Sequence, residues 1–291
     1  MDTFFLLLFS GLEFGSIYAL AALGIALIYR TSRTTNFAQG SIGMINAFAA
    51  TSILIHFGLP AWLGAIIGMI TAFATGVFID LVIMRRAKNA SPLAKQIITF
   101  GLIMILLGLA PMIFGVLPMR FPRFLPQGQV DIMGASISHN GLLNIFIGLL
   151  LTAGLFFFLQ YTKWGLAVRV TASNETTAKL MGVPTSLVTM GAWAVAAALG
   201  TLSALMIGSA NAVAVMMMDG VQVNALVAGV LGGFSTFYGP VLAAYMVGIA
   251  YNLLRFYVSD IWGGPLLYTC ILLFIILRPN GLIGKKVVKK V

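Results

Sequence analysis

The sequence predicts an all-α protein: a polytopic membrane bundle of about eight or nine transmembrane helices. Three observations lead to that class. First, 60% of the 291 residues are hydrophobic and only 8% are charged, with a mean hydropathy of +1.04. A soluble domain is about 45–50% apolar and about 25% charged, and no single aqueous core could hide this much apolar surface. Second, apolar runs near the ~20 residues needed to cross the hydrocarbon recur along the whole chain. Third, the basic residues gather in alternate connections between those runs.

The runs fall at 4–29, 40–57, 60–84, 96–115, 141–161, 186–208, 220–234, 238–257 and 263–278. The first follows Met1 and Asp2 rather than a basic stretch, and it is too long for a signal-peptide core. The second and seventh are the weakest, since both mix polar residues with glycine. Either is a clean span or a broken, re-entrant segment. No soluble insertion interrupts the pattern, so residues 1–291 read as one transmembrane domain.

Orientation follows from the bases. With the ends alternating from an outer N-terminus, the inner connections hold Arg30 and Arg33, then Arg85, Arg86, Lys88 and Lys95. They also hold Lys163, Arg169 and Lys179, then Arg278, Lys285, Lys286, Lys289 and Lys290. Arg120, Arg123 and Arg255 remain outside. The N-terminus is therefore expected outside and the C-terminus in the cytoplasm. Bases arranged between apolar runs, not along one face, exclude a nucleic-acid partner despite the net charge of +10.

Two connections are long enough for structure of their own. In the outer one, 116–140, Pro118, Pro122 and Pro126 preclude a continuous helix. Alternation from Gln129 to Ser138 suits a small hairpin, in a loop that is either plain surface or a docking face. The inner one, 162–185, contains a short amphipathic helix. Ala172, Ser173 and Asn174 stand around its N-cap and Glu175 in its first turn. Ala178, Leu180 and Met181 offer apolar contacts, and Gly182 with Pro184 ends it. Such an element is either an interfacial linker or a piece that presses into a soluble partner.

Small residues four apart, Gly11/Gly15, Gly64/Gly68 and Gly229/Gly233, suit close helix packing in lipid. Polar groups at membrane depth are costly and mark candidates for a solute path. These are Glu13 and Tyr18 in the first span, Asn36, Gln39, Ser41 and Asn46 after it, and Gln222 and Asn224 beside Asp219. Glu13 either faces water or pairs with a donor on a neighbouring helix. Asp80 stands near Arg85 and Arg86, as expected of an interfacial ion pair. Catalytic machinery is not visible. There is no phosphate-cradling G-x-x-x-x-G-K-[S/T] loop, His56 and His139 have no metal spacing, and the single cysteine, Cys270, lies in an apolar run. Neither a cofactor nor a metal is expected.

Four blocks resemble the branched-chain amino acid ABC-importer permeases, in the order found in that family. The first is Gly11–Met44, with Gly15, Ser16, Tyr18, Ala19 and Leu20, then Leu27, Ile28 and Tyr29, then Asn36, Phe37, Ala38, Gln39 and Gly40. The others are Trp164–Pro184, Ala228–Ala244 and Arg278–Lys286. The length is that of the shorter permease type. Glu175 stands one position early in the second block, and Gln39 occupies a position where histidine is common.

The resemblance implies an importer of branched-chain or related amino acids in the inner (plasma) membrane. Its partners would be two cytoplasmic ATPase subunits, a second permease chain (a paralogue before a second copy) and an extracytoplasmic solute-binding protein. It also implies that 162–185 couples to the ATPase, through Ala172, Asn174, Glu175, Ala178, Leu180, Met181 and Gly182. Two related halves of opposite topology are a further implication. An importer of urea or short amides is the alternative on the solute side. An ion-coupled secondary transporter would need acids deep in the bilayer, where only Glu13 is a candidate.

Overall fold

The computed structural model describes residues 2–132 and 134–283. Every apolar run is occupied by a helix. α1 (Asp2–Ser32), α2 (Gln39–Phe57), α3 (Ala61–Phe78) and α4 (Pro92–Phe114) precede the outer connection. α5 (His139–Tyr161), the inner pair α6 (Lys163–Ser173) and α7 (Glu175–Leu180), and α8 (Thr185–Ala210) follow. α9 (Asp219–Gly232), α10 (Tyr238–Tyr257) and α11 (Gly263–Leu277) close the described chain. The expected hairpin is present as β1 (Gln129–Ile132) and β2 (Ala135–Ser138), paired antiparallel with Gln129 opposite Ser138.

The helices begin where the sequence offers caps. Ser91 accepts from the Ala94 N–H at 3.2 Å, with Pro92 in the first turn of α4, and Ser138 accepts from Gly141 at 3.0 Å at the start of α5. Thr162 and Asn174 cap α6 and α7 in the same way, each at 3.0 Å. A π-helical turn, Ile79–Met84, extends α3 and carries the expected ion pair, Asp80 to Arg85 at 3.5 Å. The Asp80 side chain is only 5% exposed there.

Among the described residues, six helices are long and apolar enough to cross a bilayer: α1, α2, α3 with its π-helical turn, α4, α5 and α8. α10 has 20 residues but carries Asn252 and Arg255. α9 has 14 residues and α11 has 15. At ~1.5 Å per residue, either rises only about 21–23 Å, short of a ~30 Å hydrocarbon core. The weak seventh run is thus a short helix, whereas the weak second run is a full helix of 19 residues. What is irregular near the second run is the extended stretch 33–38 that leads into it.

Close approaches fix the helix directions. The Ser203 hydroxyl donates to the Ile17 carbonyl at 3.0 Å, and Gly24 lies against Ala196, so α1 and α8 run antiparallel at the centre. Gly11 faces Ile249 and Gly15 faces Tyr245, which makes α10 antiparallel to α1. Gly68 abuts Leu205 and Gly76 abuts Trp193, which does the same for α3 and α8. α2 runs parallel to α8, with Gln39 beside Ala196 and Gly43 beside Gly200. α9 runs parallel to α1, with Asn224 beside Tyr18 and, just past the end of α9, the Phe234 ring 4.7 Å from that of Tyr29 in a tilted contact.

Exchanging α1, α2 and α3 for α8, α9 and α10 therefore preserves the packing: α1 holds α9 and α10 as α8 holds α2 and α3. This is the contact pattern of an inverted repeat. Its core is lined by small residues of α1 and α8, such as Ala19, Ala22, Ala26, Ala192, Ala196 and Ala204. Two of the three glycine pairs serve helix contacts as expected. The third does not: Gly229 faces the Phe234 ring, and Gly233 ends α9 with φ +84°.

Candidate functional site

The inverted packing places two helix starts inside the bundle. Gln39, the first residue of α2, is level with Ala196, 11 residues into α8. That is about 16 Å from the end of α8. Asn224, in the second turn of α9, is level with Tyr18 in the middle of α1. Residues 33–38 and 211–218 lead as non-helical chain from the ends of α1 and α8 to these interior helix starts, and where such chain enters the bundle protein groups must satisfy its backbone.

Side chains satisfy the exposed backbone. The Asn36 side chain accepts from the Ala38 N–H at 3.0 Å and donates to Gln39 Oε1 at 3.1 Å. Gln39 Nε2 donates to the Ala196 carbonyl at 2.6 Å. Ala38, at the cap of α2, has no side-chain acceptor. Gln222 in the first turn of α9 takes that role from across the bundle, accepting from the Gly40 N–H at 2.6 Å. Each broken element thus holds the other. Replacing Gln222 with alanine leaves the Gly40 N–H buried without that acceptor, at a cost of about 1–3 kcal/mol. We expect a lower melting midpoint for Gln222→Ala in detergent, with partial recovery in Gln222→Glu, which keeps an acceptor.

The other predicted path residues fall into three separate places. Tyr268 donates to Asn224 Oδ1 at 3.1 Å, Tyr18 stands beside that pair, and Asn224 Nδ2 donates to the Gly220 carbonyl at 2.9 Å. Glu13 is half-buried and pairs with a neighbouring helix, accepting from Asn144 Nδ2 of α5 at 2.8 Å. Asn46 donates to the Ile42 carbonyl at 2.8 Å and accepts from the Thr75 hydroxyl at 3.1 Å. Asn36 and Gln39 are thus brought together with Gln222, Tyr18 with Asn224, and Glu13 and Asn46 stand apart. Asn144 and Tyr268 did not emerge from the sequence, since each is a polar residue in a predominantly apolar run. Only the cost of burying such a group singles them out.

The inner connection holds the expected short helix as α7, with a second helix, α6, before it that takes in Ala172 and Ser173. Ala172 lies near the end of α6, and its carbonyl accepts from Arg33 at 2.6 Å. Asn174 adopts an extended conformation that breaks α6 and caps α7. Within α7, Glu175 pairs with Lys179 and Ala178 is fully buried. Leu180 and Met181 make no comparable contact: they are 84% and 71% exposed. A left-handed Gly182, at φ +79°, then turns the chain toward α8. The segment is a two-helix foot whose apolar tip, Leu180 and Met181, is exposed away from the bundle. Among the described residues no group of three His, Cys, Asp or Glu side chains is placed to hold a metal ion. Of the fourth resembling block, Gly284–Lys286 lie outside the described residues, as do Lys289 and Lys290.

Residues 7–277 match the family described as branched-chain amino acid transport system / permease component. The chain is similar to the probable branched-chain amino acid transport permease protein LivH of Methanocaldococcus jannaschii, 26% identical over 287 residues, covering 93% of this chain and 88% of the relative. It is similar to the high-affinity branched-chain amino acid transport system permease protein LivH of Escherichia coli, 27% identical over 299 residues, covering 98% and 96%. It is also similar to the corresponding protein BraD of Pseudomonas aeruginosa, 26% identical over 302 residues, covering 98% and 97%. No solved structure matches. A polytopic helical bundle matched along nearly its whole length in this way belongs to the branched-chain amino acid transport system permease family.

Proposed function

We propose that this chain is the membrane-spanning permease subunit of a binding-protein-dependent ABC importer for branched-chain or related amino acids. The observation that carries the reading is the family match over residues 7–277. The structure adds a mechanical rationale. A transporter needs a rigid-body element that alternates and a handle by which another subunit moves it. The reciprocal halves supply the first kind of element. The handle is the 162–185 segment, where α7 presents Leu180 and Met181 beyond the bundle.

In this reading two cytoplasmic ATPase subunits dock against α7, hydrolyse ATP, and rock α6 and α8 on either side of it. An extracytoplasmic binding protein delivers the solute, and a paralogous second permease completes the membrane unit. The bases at Arg85, Arg86, Lys88, Lys163 and Lys179 then face the cytoplasm, with the N-terminus outside. The polar groups Glu13, Tyr18, Asn36, Gln39, Asn46 and Asn224 are offered as the path. Most are bonded within the chain, which suits a permease whose solute affinity resides chiefly in the binding protein.

The test is uptake of labelled leucine, with urea for comparison, into vesicles carrying this chain with its ATPase, second permease and binding protein. Leucine uptake that requires internal ATP is the expected result. ATP-dependent uptake of urea alone would move the solute class, and uptake without ATP would overturn the importer reading.

A further inference from the structure

At the end of the bundle where α1 and α5 finish, a cavity of about 800 Å³ opens beside α6 and the α9–α10 turn. Its walls are largely aromatic, from Phe156, Phe157, Tyr161 and Phe237. Two guanidinium groups share it. Arg30, in the last turn of α1, stands over the Phe237 ring at 4.1 Å from the centroid. Arg169 of α6 is held by Gln160, donating to the side-chain oxygen at 3.0 Å and to the carbonyl at 3.1 Å. That grip leaves the Arg169 Nε enclosed with no partner.

No acid balances these charges. The ion pairs among the described residues are Asp80–Arg85, Glu175–Lys179 and Arg255–Asp260, and none of them reaches the cavity. Two cations lining one cavity without a carboxylate favour an anion with several acceptor oxygens. The aromatic walls favour an apolar chain on the same molecule. Beyond the cavity α5 continues as an exposed apolar stripe through Phe157, Leu150, Leu149 and Phe146, each 52–66% exposed. The level is that of the helix ends, where tyrosines and arginines meet headgroups.

We propose that this cavity binds an anionic phospholipid, with its phosphate between Arg30 and Arg169 and an acyl chain laid along α5. Basic pockets between helix ends are suited to such headgroups. The site is separate from the proposed solute path and from the tip of α7.

The test uses the full chain, purified in mild detergent with its partner subunits and examined by native mass spectrometry. The probes are phosphatidylglycerol and phosphatidylcholine with identical acyl chains. The expected result is retention of phosphatidylglycerol at least tenfold above phosphatidylcholine. A double Arg30→Gln, Arg169→Gln variant should lose that preference about tenfold. Ala153 also lines the cavity and is exposed, so Ala153→Trp fills the space with both charges intact. It should weaken retention too, and it decides alone if the double variant fails to fold. Excess glycerol 1-phosphate should leave the lipid in place. Equal retention of the two lipids, or undiminished retention in Ala153→Trp, would overturn the proposal. So would displacement by glycerol 1-phosphate, which marks a soluble anion, or retention confined to the chain stripped of its partners, which marks a subunit interface.

Discussion

Gly43→Leu should lower the stability of the bundle by about 3–5 kcal/mol, an effect large enough to remove most monodisperse protein from detergent extracts. A Cβ at Gly43 would stand 2.5 Å from the Gly200 carbonyl oxygen, 2.8 Å from its carbon and 3.3 Å from the Thr201 nitrogen. All three are backbone atoms of α8, so no rotamer change relieves the clash and the helices must separate. Separation acts on more than packing. It pulls Gln39 from the Ala196 carbonyl, now at 2.6 Å, and displaces the start of α2 that Gln222 of α9 caps at Gly40. Overpacking alone costs about 1–3 kcal/mol, and each buried group left unpaired adds about 1–3 kcal/mol.

Gly108→Leu is the matched control, since a Cβ there meets nothing within 4 Å. Size-exclusion profiles and melting midpoints of the two variants should differ sharply. If Gly43→Leu behaves as Gly108→Leu does, α2 and α8 are not in backbone contact and the interlocked helix starts are wrong.

Much of the architecture could be read from the residues, because its causes are local. Apolar run length sets where helices occur. The alternation between Gln129 and Ser138 yields the hairpin, and Asn174 and Ser138 cap because their side chains reach an N–H three residues on. Asp80 and Arg85 are close enough in sequence to pair across one turn. The depth of each helix was not legible. Hydropathy reports that residues 40–57 and 220–234 are apolar, but not that both helices begin halfway into the bundle.

That depth comes from contacts between distant residues, such as Gln222 with Gly40 and Asn224 with Tyr18. The mixed polarity that made these two runs look weak was a faint trace of it, since a helix that starts among protein atoms must bring its own polar caps. The same reasoning explains the third glycine pair. Four-residue spacing describes a helix face only while the helix continues, and α9 stops at Gly232. In the inner connection, composition suggested one helix because Ala172 and Ser173 are good neighbours of a cap. What it did not reveal is that Val168 and Ala172 are buried, which commits them to a preceding helix.

Leu180→Glu should reduce ATP-dependent uptake about thirtyfold while leaving the melting midpoint unchanged. Folding is insulated from the change, because Leu180 is 84% exposed and its neighbour Met181 71%. The anchor of the segment lies elsewhere, in the fully buried Ala178 and in Arg33, which holds the Ala172 carbonyl at 2.6 Å. Coupling is not insulated. On the proposed reading these two side chains are the apolar centre of the ATPase contact, and loss of such an anchor costs about 2 kcal/mol or more. Two kcal/mol is about a thirtyfold change in the docked population. A charge is worse than a truncation, since it must be desolvated on docking, so Leu180→Ala should fall between Leu180→Glu and the unaltered chain.

The measurement pairs leucine uptake in vesicles with ATP hydrolysis by the same assembly. Hydrolysis that persists while uptake falls identifies a broken mechanical link. Wild-type uptake by a well-inserted Leu180→Glu protein would remove α7 from the coupling path. The contact would then have to be made by the groove between α6 and α7, where Leu166, Val170 and Thr177 line a hollow of about 330 Å³.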